Sequence, residues 1–356
     1  MDLKNKKTAM SEIKFLKWLA AETPTRWWHD SAIPDEIWAS LANGATGVTT
    51  NPPLVAASLA AIPDYWGSAL RDFVPAHLDL AGKVEAVLEC VTRQAAGLVE
   101  PVFQASRGAQ GYACAQVNPR RPGDAEGMIR MAGRLCRWAP NIAVKLPATA
   151  AGLDALEECS ALGITVTATV SFTLPQVLAI AERYQRGLAR AREAGVKPGR
   201  CFAVVMVGRI DDYLRDVAED ARAAVTESDI IQCGTAIMKR AQAIFRERHY
   251  EAVLMPAGLR GAAQATELAG ADMTLSIHPK IQALLAKLDG PFERRCDIPV
   301  DAGVLRRLSA IPEFVRAYEP DGMEPAEFIA YGAVQRTLSQ FVECGWAPIE
   351  AVAAKL

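Results

Sequence analysis

One lysine stands inside an apolar run, at position 145 of the segment NIAVKLP. Burial in such a run disfavours the ammonium form of a lysine, and a neutral amine can form a Schiff base with a ketone. The plainer alternative is a strand-end lysine paired with a neighbouring acid. Other polar residues stand at or near the ends of similar runs. Asp30 closes RWWHD, Asn51 follows GVTT, and Gln116 lies near the end of GYACAQV. Thr167 and Thr169 lie two apart in TVTATV and so share a strand face. Arg209 follows FAVVMV, and Arg260 follows AVLM. The set contains one amine, one carboxylate and two arginines suited to gripping a phosphate.

The runs that must position these groups read as strands: Arg26–Asp30, Gly47–Thr50, Gly111–Val117, Ile142–Leu146, Thr165–Val170, Phe202–Val207, Ala252–Met255 and Met273–Ile277. They are short, rich in β-branched residues and apolar on both faces, as strands of a buried parallel sheet are. Helical patterns lie between them, at Pro34–Leu41, Asp124–Trp138, Thr149–Leu162, Thr173–Ala194, Ile210–Ser228 and Ile230–His249. This alternation predicts an α/β protein, either a closed barrel or an open doubly wound sheet. No GxGxxG follows the first strand and no GxxxxGK[ST] loop occurs, which favours the (β/α)8 TIM barrel. Polar residues at carboxyl strand ends are where such a barrel places its chemistry. The expectation is one domain over 1–356, with a barrel core at about 24–290. Extra helices precede it, interrupt it at about 53–108 and follow it at about 291–356.

Composition limits the function classes. The chain has 356 residues and is 51% apolar, so it can build a large core and is not a disordered scaffold. Lys and Arg number 39 against 41 Asp and Glu, a net charge of −2, which implies neither nucleic acid nor an anionic membrane as partner. The eight cysteines form no CxxC and the four histidines no HExxH, so reduced thiols in a cytoplasmic protein are expected, with no metal site. The basic start, MDLKNKKTAMSEIKFLKWL, lacks the long apolar stretch and cleavage site of a signal peptide. No stretch approaches 18 uncharged apolar residues, so no transmembrane helix is expected. His29 flanks Asp30 but should point to the opposite strand face, into the core, and Trp27 and Trp28 read as packing residues. Cys114 and Cys201 read as small core residues, while His278 is either a phosphate contact or solvated.

Six ordered segments over roughly residues 24–290 resemble the transaldolases: WWHDS, GATGVTTNPPLV, NIAVKLPATAAGLDAL, GITVTATVSFTLPQ, VGRIDDY and AGLRGAAQATELAGADMTLSIHPK. The resemblance implies a barrel enzyme with no metal and no organic cofactor, acting on a small sugar phosphate. Lys145 would form the Schiff base, and Asp30 would deprotonate the hydroxyl whose loss of a proton breaks a C–C bond. Asn51 would orient lysine and substrate, Thr169 would hold a catalytic water, and Arg209 and Arg260 would grip the phosphate. Thr49 and Thr50 fall within the matched second-strand motif. The resemblance leaves the oligomeric state open.

Four positions depart from that family's pattern. Gln116 stands where a glutamate works through the catalytic water, and an amide can position water but cannot take up and return its proton. Met206 stands where transaldolases carry phenylalanine and their simple-aldolase relatives tyrosine. Val204 and Thr167 replace a serine and an asparagine that contact the terminal hydroxyl of the three-carbon donor, and Gly258 replaces a serine near the phosphate. Three functions follow. The first is a transaldolase moving a three-carbon ketol unit between sugar phosphates. The second is a fructose-6-phosphate-type aldolase with an altered donor. The third is a catalytically impaired barrel that binds a sugar phosphate or a protein partner.

Overall fold

The computed structural model describes residues 12–356; the first eleven residues of the basic amino-terminal run lie outside it. The chain begins with α1 (Lys14–Glu22), β1 (Arg26–His29), α2 (Pro34–Ala42), α3 (Pro52–Ala61), α4 (Pro63–Phe73) and α5 (Leu80–Ala105). A regular alternation follows: β2 (Ala113–Gln116), α6 (Ala125–Leu135), β3 (Ile142–Pro147), α7 (Ala150–Ala161), β4 (Val166–Thr169), α8 (Leu174–Glu193) and β5 (Cys201–Val205). Next come α9 (Val207–Asp220), α10 (Glu227–Ile230), α11 (Cys233–Glu247), β6 (Val253–Pro256), α12 (Ala262–Glu267), β7 (Thr274–Ile277) and α13 (Pro279–Leu285). The tail holds α14 (Ala302–Leu308), α15 (Pro312–Tyr318), a 3-10 turn (Pro325–Ala330), α16 (Gly332–Phe341), a π turn (Val342–Trp346) and α17 (Ala347–Ala353).

Local chemistry starts the helices. Asn51, Asp79, Asp124, Thr149 and Thr173 cap α3, α5, α6, α7 and α8, each side chain accepting from the backbone N–H three residues on. All strand pairing is parallel: β1 with β7, and β2 through β6 in sequence order. The expected second strand, Gly47–Thr50, forms only a single bridge at Val48, to His29 on one side and Ala113 on the other. Its length is the reason: Asn51 already caps α3, leaving few residues to pair. Backbone bonds from Val48 to Tyr112 and from Thr49 to His29 nevertheless carry the sheet across this point. No ladder joins β6 to β7 among the described residues.

The sheet curls. Trp28 of β1 lies 4.5 Å, ring to ring, from Phe202 of β5, although these strands are not neighbours in the sheet. The two side chains therefore meet across an interior. Trp27, Trp28, Cys114 and Cys201 are all buried, as their sequence settings implied. No helix is long and apolar enough to cross a membrane among the described residues. Every cysteine is a free thiol.

The tail is tied back to the sheet-bearing part. Arg307 of α14 donates two hydrogen bonds, of 3.0 and 2.6 Å, to Asp229 of α10 and holds that carboxyl well below the usual range. Arg240 of α11 stacks over Tyr318 at 4.4 Å, and Arg120 pairs with Glu350 of α17 at 2.7 Å. Gly345 in the π turn sits so close to Pro52 and Pro53 that a Cβ there would come within 2.5 Å of the Pro53 nitrogen. A side chain at this position would push the tail off α3.

Candidate active site

Lys145 projects from the middle of β3, is only 5% exposed, and reaches a cavity of about 410 Å³. Side chains from other strand ends complete the cavity wall. They include Asp30 after β1, Thr49 and Asn51 before α3, Thr169 at the end of β4, Val204 in β5 and Met206 just beyond it. Arg209 and Arg260 complete the set. The fold thus brings together nine of the eleven residues singled out from the sequence. The other two, Gln116 and Thr167, are buried and are the residues paired with Lys145 in β2 and β4. They flank the lysine within the sheet and do not line the cavity. Thr167 Oγ1 lies 3.7 Å from Cys114 Sγ. Gln116 Oε1 and Thr169 Oγ1 are buried with no hydrogen-bond partner among the described residues. Buried polar atoms normally find a partner, so these two mark a polar niche beside the amine.

Asp30 is a buried carboxyl on the wall of this cavity. Burial raises its carboxyl above the ordinary range, opposed by the nearby charges of Lys145, His278 and Arg209. A carboxylate held this way is a better proton acceptor than a solvated one. Asn51 spends its carbonyl oxygen on the Leu54 N–H, at 2.9 Å, which leaves its amide N–H groups to face the cavity. Thr49 shares a 2.8 Å hydrogen bond with Ser276 of β7, and Thr50 donates to the Cys114 carbonyl.

The two arginines line the same cavity, close enough for the charge of one to act on the other. Helix α9 begins at Val207, three residues earlier than the sequence pattern indicated, so Arg209 lies in its first turn. A helix amino terminus attracts negative charge, and the guanidinium adds to it. Burial first, and then the charge of Arg260, push the Arg209 pKa down, so an anion between the two relieves both penalties. Arg260 is held at both ends. Its Nε and Nη2 each lie 2.7 Å from Asp212, and its backbone N–H donates to Gln264 Oε1 at 2.6 Å. Gln264 in turn donates to buried Asp211, which also accepts from the Gly234 N–H at 2.7 Å. Burial pushes the Asp211 carboxyl up to about 7. Gly258, at φ +63°, forms the turn ahead of Arg260, a left-handed conformation that disfavours the serine implied by the resemblance.

Sequence reasoning missed residues behind the wall and some on it, although it named His278 as a phosphate contact or a solvated residue. Asp211, Asp212 and Gln264 position Arg260, and the GRIDD run was the available signal for the first two. His278, Lys280, Ile281 and Leu284 also line the cavity. His278 also caps α13, accepting from the Lys280 N–H at 3.1 Å.

His29 is a core residue, as expected. Its Nδ1 lies 2.7 Å from Ser40 Oγ and 3.0 Å from Gln282 Nε2, and burial lowers its pKa to about 3. The folded protein therefore keeps it neutral where the unfolded chain takes up a proton. Its contribution to stability is complete above about pH 6.5 and lost progressively as pH falls towards 3. We expect unfolding free energy to fall by up to about 1.4 kcal/mol per pH unit in that window from this residue. Denaturant titrations of the protein and of a His29→Gln variant should show a shallower pH slope for the variant.

A sequence model described as Transaldolase/Fructose-6-phosphate aldolase matches residues 27–308. The transaldolase of Thiobacillus denitrificans is 34% identical over 175 residues, covering 48% of this chain and 48% of that protein. Transaldolase 1 of Streptomyces avermitilis is 32% identical over 226 residues, 62% of this chain and 57% of the relative. The transaldolase of Thermobifida fusca is 30% identical over 224 residues, 62% and 59% of the two chains. The chain thus spans about half to three-fifths of the length of these curated relatives.

Proposed function

Because the chain belongs to the Transaldolase/Fructose-6-phosphate aldolase family, we propose that it is a transaldolase using Lys145 as its Schiff-base nucleophile. The observation that carries this reading is a buried amine sharing one cavity with a carboxylate and two arginines. The Lys145 amine attacks the ketone carbon of a sugar phosphate, and loss of water gives an iminium. Asp30 takes the proton of the hydroxyl two carbons away. The C–C bond between them breaks, an aldehyde leaves, and the electron pair is held as an enamine on Lys145. Addition of the enamine to an acceptor aldehyde, with return of the proton, forms the new ketose, which water releases. Arg209 and Arg260 hold the phosphate, and Asn51 directs its free amide N–H groups at substrate hydroxyls. Gln116 and Thr169 supply the polar niche for the water, without a carboxylate to relay its proton.

We further read the sheet as a closed (β/α)8 barrel and the chain as one domain with the tail as an extension. The meeting of Trp28 and Phe202 across the interior supports closure. Turnover of fructose 6-phosphate with and without an added acceptor aldehyde tests the assignment. A transaldolase depends on the acceptor, whereas an aldolase releases free dihydroxyacetone without one. The aldolase reading is favoured by Gln116, since glutamine is what the simple-aldolase relatives carry at that position, and by no other departure.

The donor end of the cavity is apolar where Val204 and Met206 line it. An apolar wall tolerates a methyl group, whereas a wall that bonds a hydroxyl rejects one strongly. We expect the 1-deoxy analogue of fructose 6-phosphate to be at least as good a donor as the parent. We expect Val204→Ser to shift kcat/KM towards the hydroxymethyl donor by about tenfold, the worth of one hydrogen bond. A 1-deoxy compound that is the poorer donor for the unaltered protein sinks this idea.

A further inference from the structure

Three arginines line a second cavity of about 490 Å³: Arg336, together with Arg209 and Arg260, which also line the first. Two are already matched by carboxylates, Arg260 by Asp212 and Arg336 by Asp216, each at 2.7 Å. Arg209 has no carboxylate within salt-bridge distance among the described residues. Its guanidinium is held by the tail. Nη1 donates to the side-chain oxygen of Gln340, and the guanidinium carbon lies 5.8 Å from the centre of the Phe341 ring. Both residues end α16, which runs into the π turn that packs Gly345 against Pro52 and Pro53, next to Asn51. π turns recur at functional sites.

We propose that Gln340, assisted by Phe341, is a positioning residue for the anion site, and that through it the carboxyl-terminal segment sets affinity for phosphorylated substrates. The inference rests on the phosphate-binding role given above to Arg209. An amide oxygen orients a guanidinium but leaves its charge intact. One Nη donor is engaged, and the remaining donors stay available to a phosphate. A carboxylate at the same place would orient Arg209 equally well and cancel the charge. Gln340 is exposed on α16, so its replacement leaves the core intact.

The test uses the full chain, with inorganic phosphate as the binding probe. Gln340→Glu should weaken phosphate binding about tenfold or more by calorimetry, because the new carboxylate competes with the anion. Gln340→Met, which removes the orienting hydrogen bond without adding charge, should weaken it by a smaller factor. In turnover, the preference of Gln340→Glu for a phosphorylated over an unphosphorylated ketose should fall by a similar tenfold, through KM and not kcat. Phosphate affinity within twofold of the unaltered protein in Gln340→Glu overturns the proposal, as does equal loss on both ketoses. If phosphate binding responds as expected but no ketose is turned over, the anion site stands and the transaldolase reading fails.

Discussion

Alanine at position 145 is expected to lower kcat by about 10⁴-fold or more, the order of loss when a covalent nucleophile is removed. Among the described residues the cavity wall holds one other lysine, Lys280, which stands at the start of α13 and not on a strand. Phosphate binding should persist in Lys145→Ala, because Arg209 and Arg260 are positioned by Gln340, Asp212 and Gln264, none of which touches Lys145. Steady-state assays with a ketose phosphate, paired with calorimetry of inorganic phosphate, check both halves. Substantial residual turnover would remove the Schiff base from the account.

Asp30→Asn is expected to cost about 10²- to 10⁴-fold in kcat, the usual range for a positioned general base. The variant should still form the iminium, because Lys145 is intact, yet fail to break the C–C bond. Whole-ketose adducts should therefore accumulate on Lys145 in the variant, where the unaltered protein carries three-carbon ones. The unaltered enzyme should also show a characteristic pH dependence. Asp30 acts as a carboxylate, and burial raises its pKa. Activity should fall as pH is lowered through a value above the ordinary carboxylate range, about 3.9. An acid limb at or below that ordinary value would mean that another group is the base.

The strand-end chemistry was legible because it depends on short range. Lys145 in an apolar run, Asp30 at the close of another and Asn51 ahead of two prolines each carry their structural meaning within a few residues. The helix caps at Thr149 and Thr173 read the same way. The second strand was overread, since GVTT has strand composition but Asn51 leaves it no room to pair beyond Val48. The phosphate end was only half legible. Arg209 and Arg260 stand out in the sequence, but what aims them does not. Gln264 reaches Asp211 from 53 residues away, and Gln340 reaches Arg209 from 131. Such pairings are set by how helices return over the sheet and leave no periodic or local trace. The tail meets the site at one side chain, where Gln340 accepts from Arg209.

The central claim is that the Lys145 amine becomes covalently attached to the ketone carbon of the substrate. Incubation of the full chain with fructose 6-phosphate and borohydride, followed by peptide mass analysis, measures this directly. The account predicts a reduced three-carbon adduct on Lys145 as the principal modified site. An adduct located on a different lysine, or none across several ketose phosphates, would contradict it.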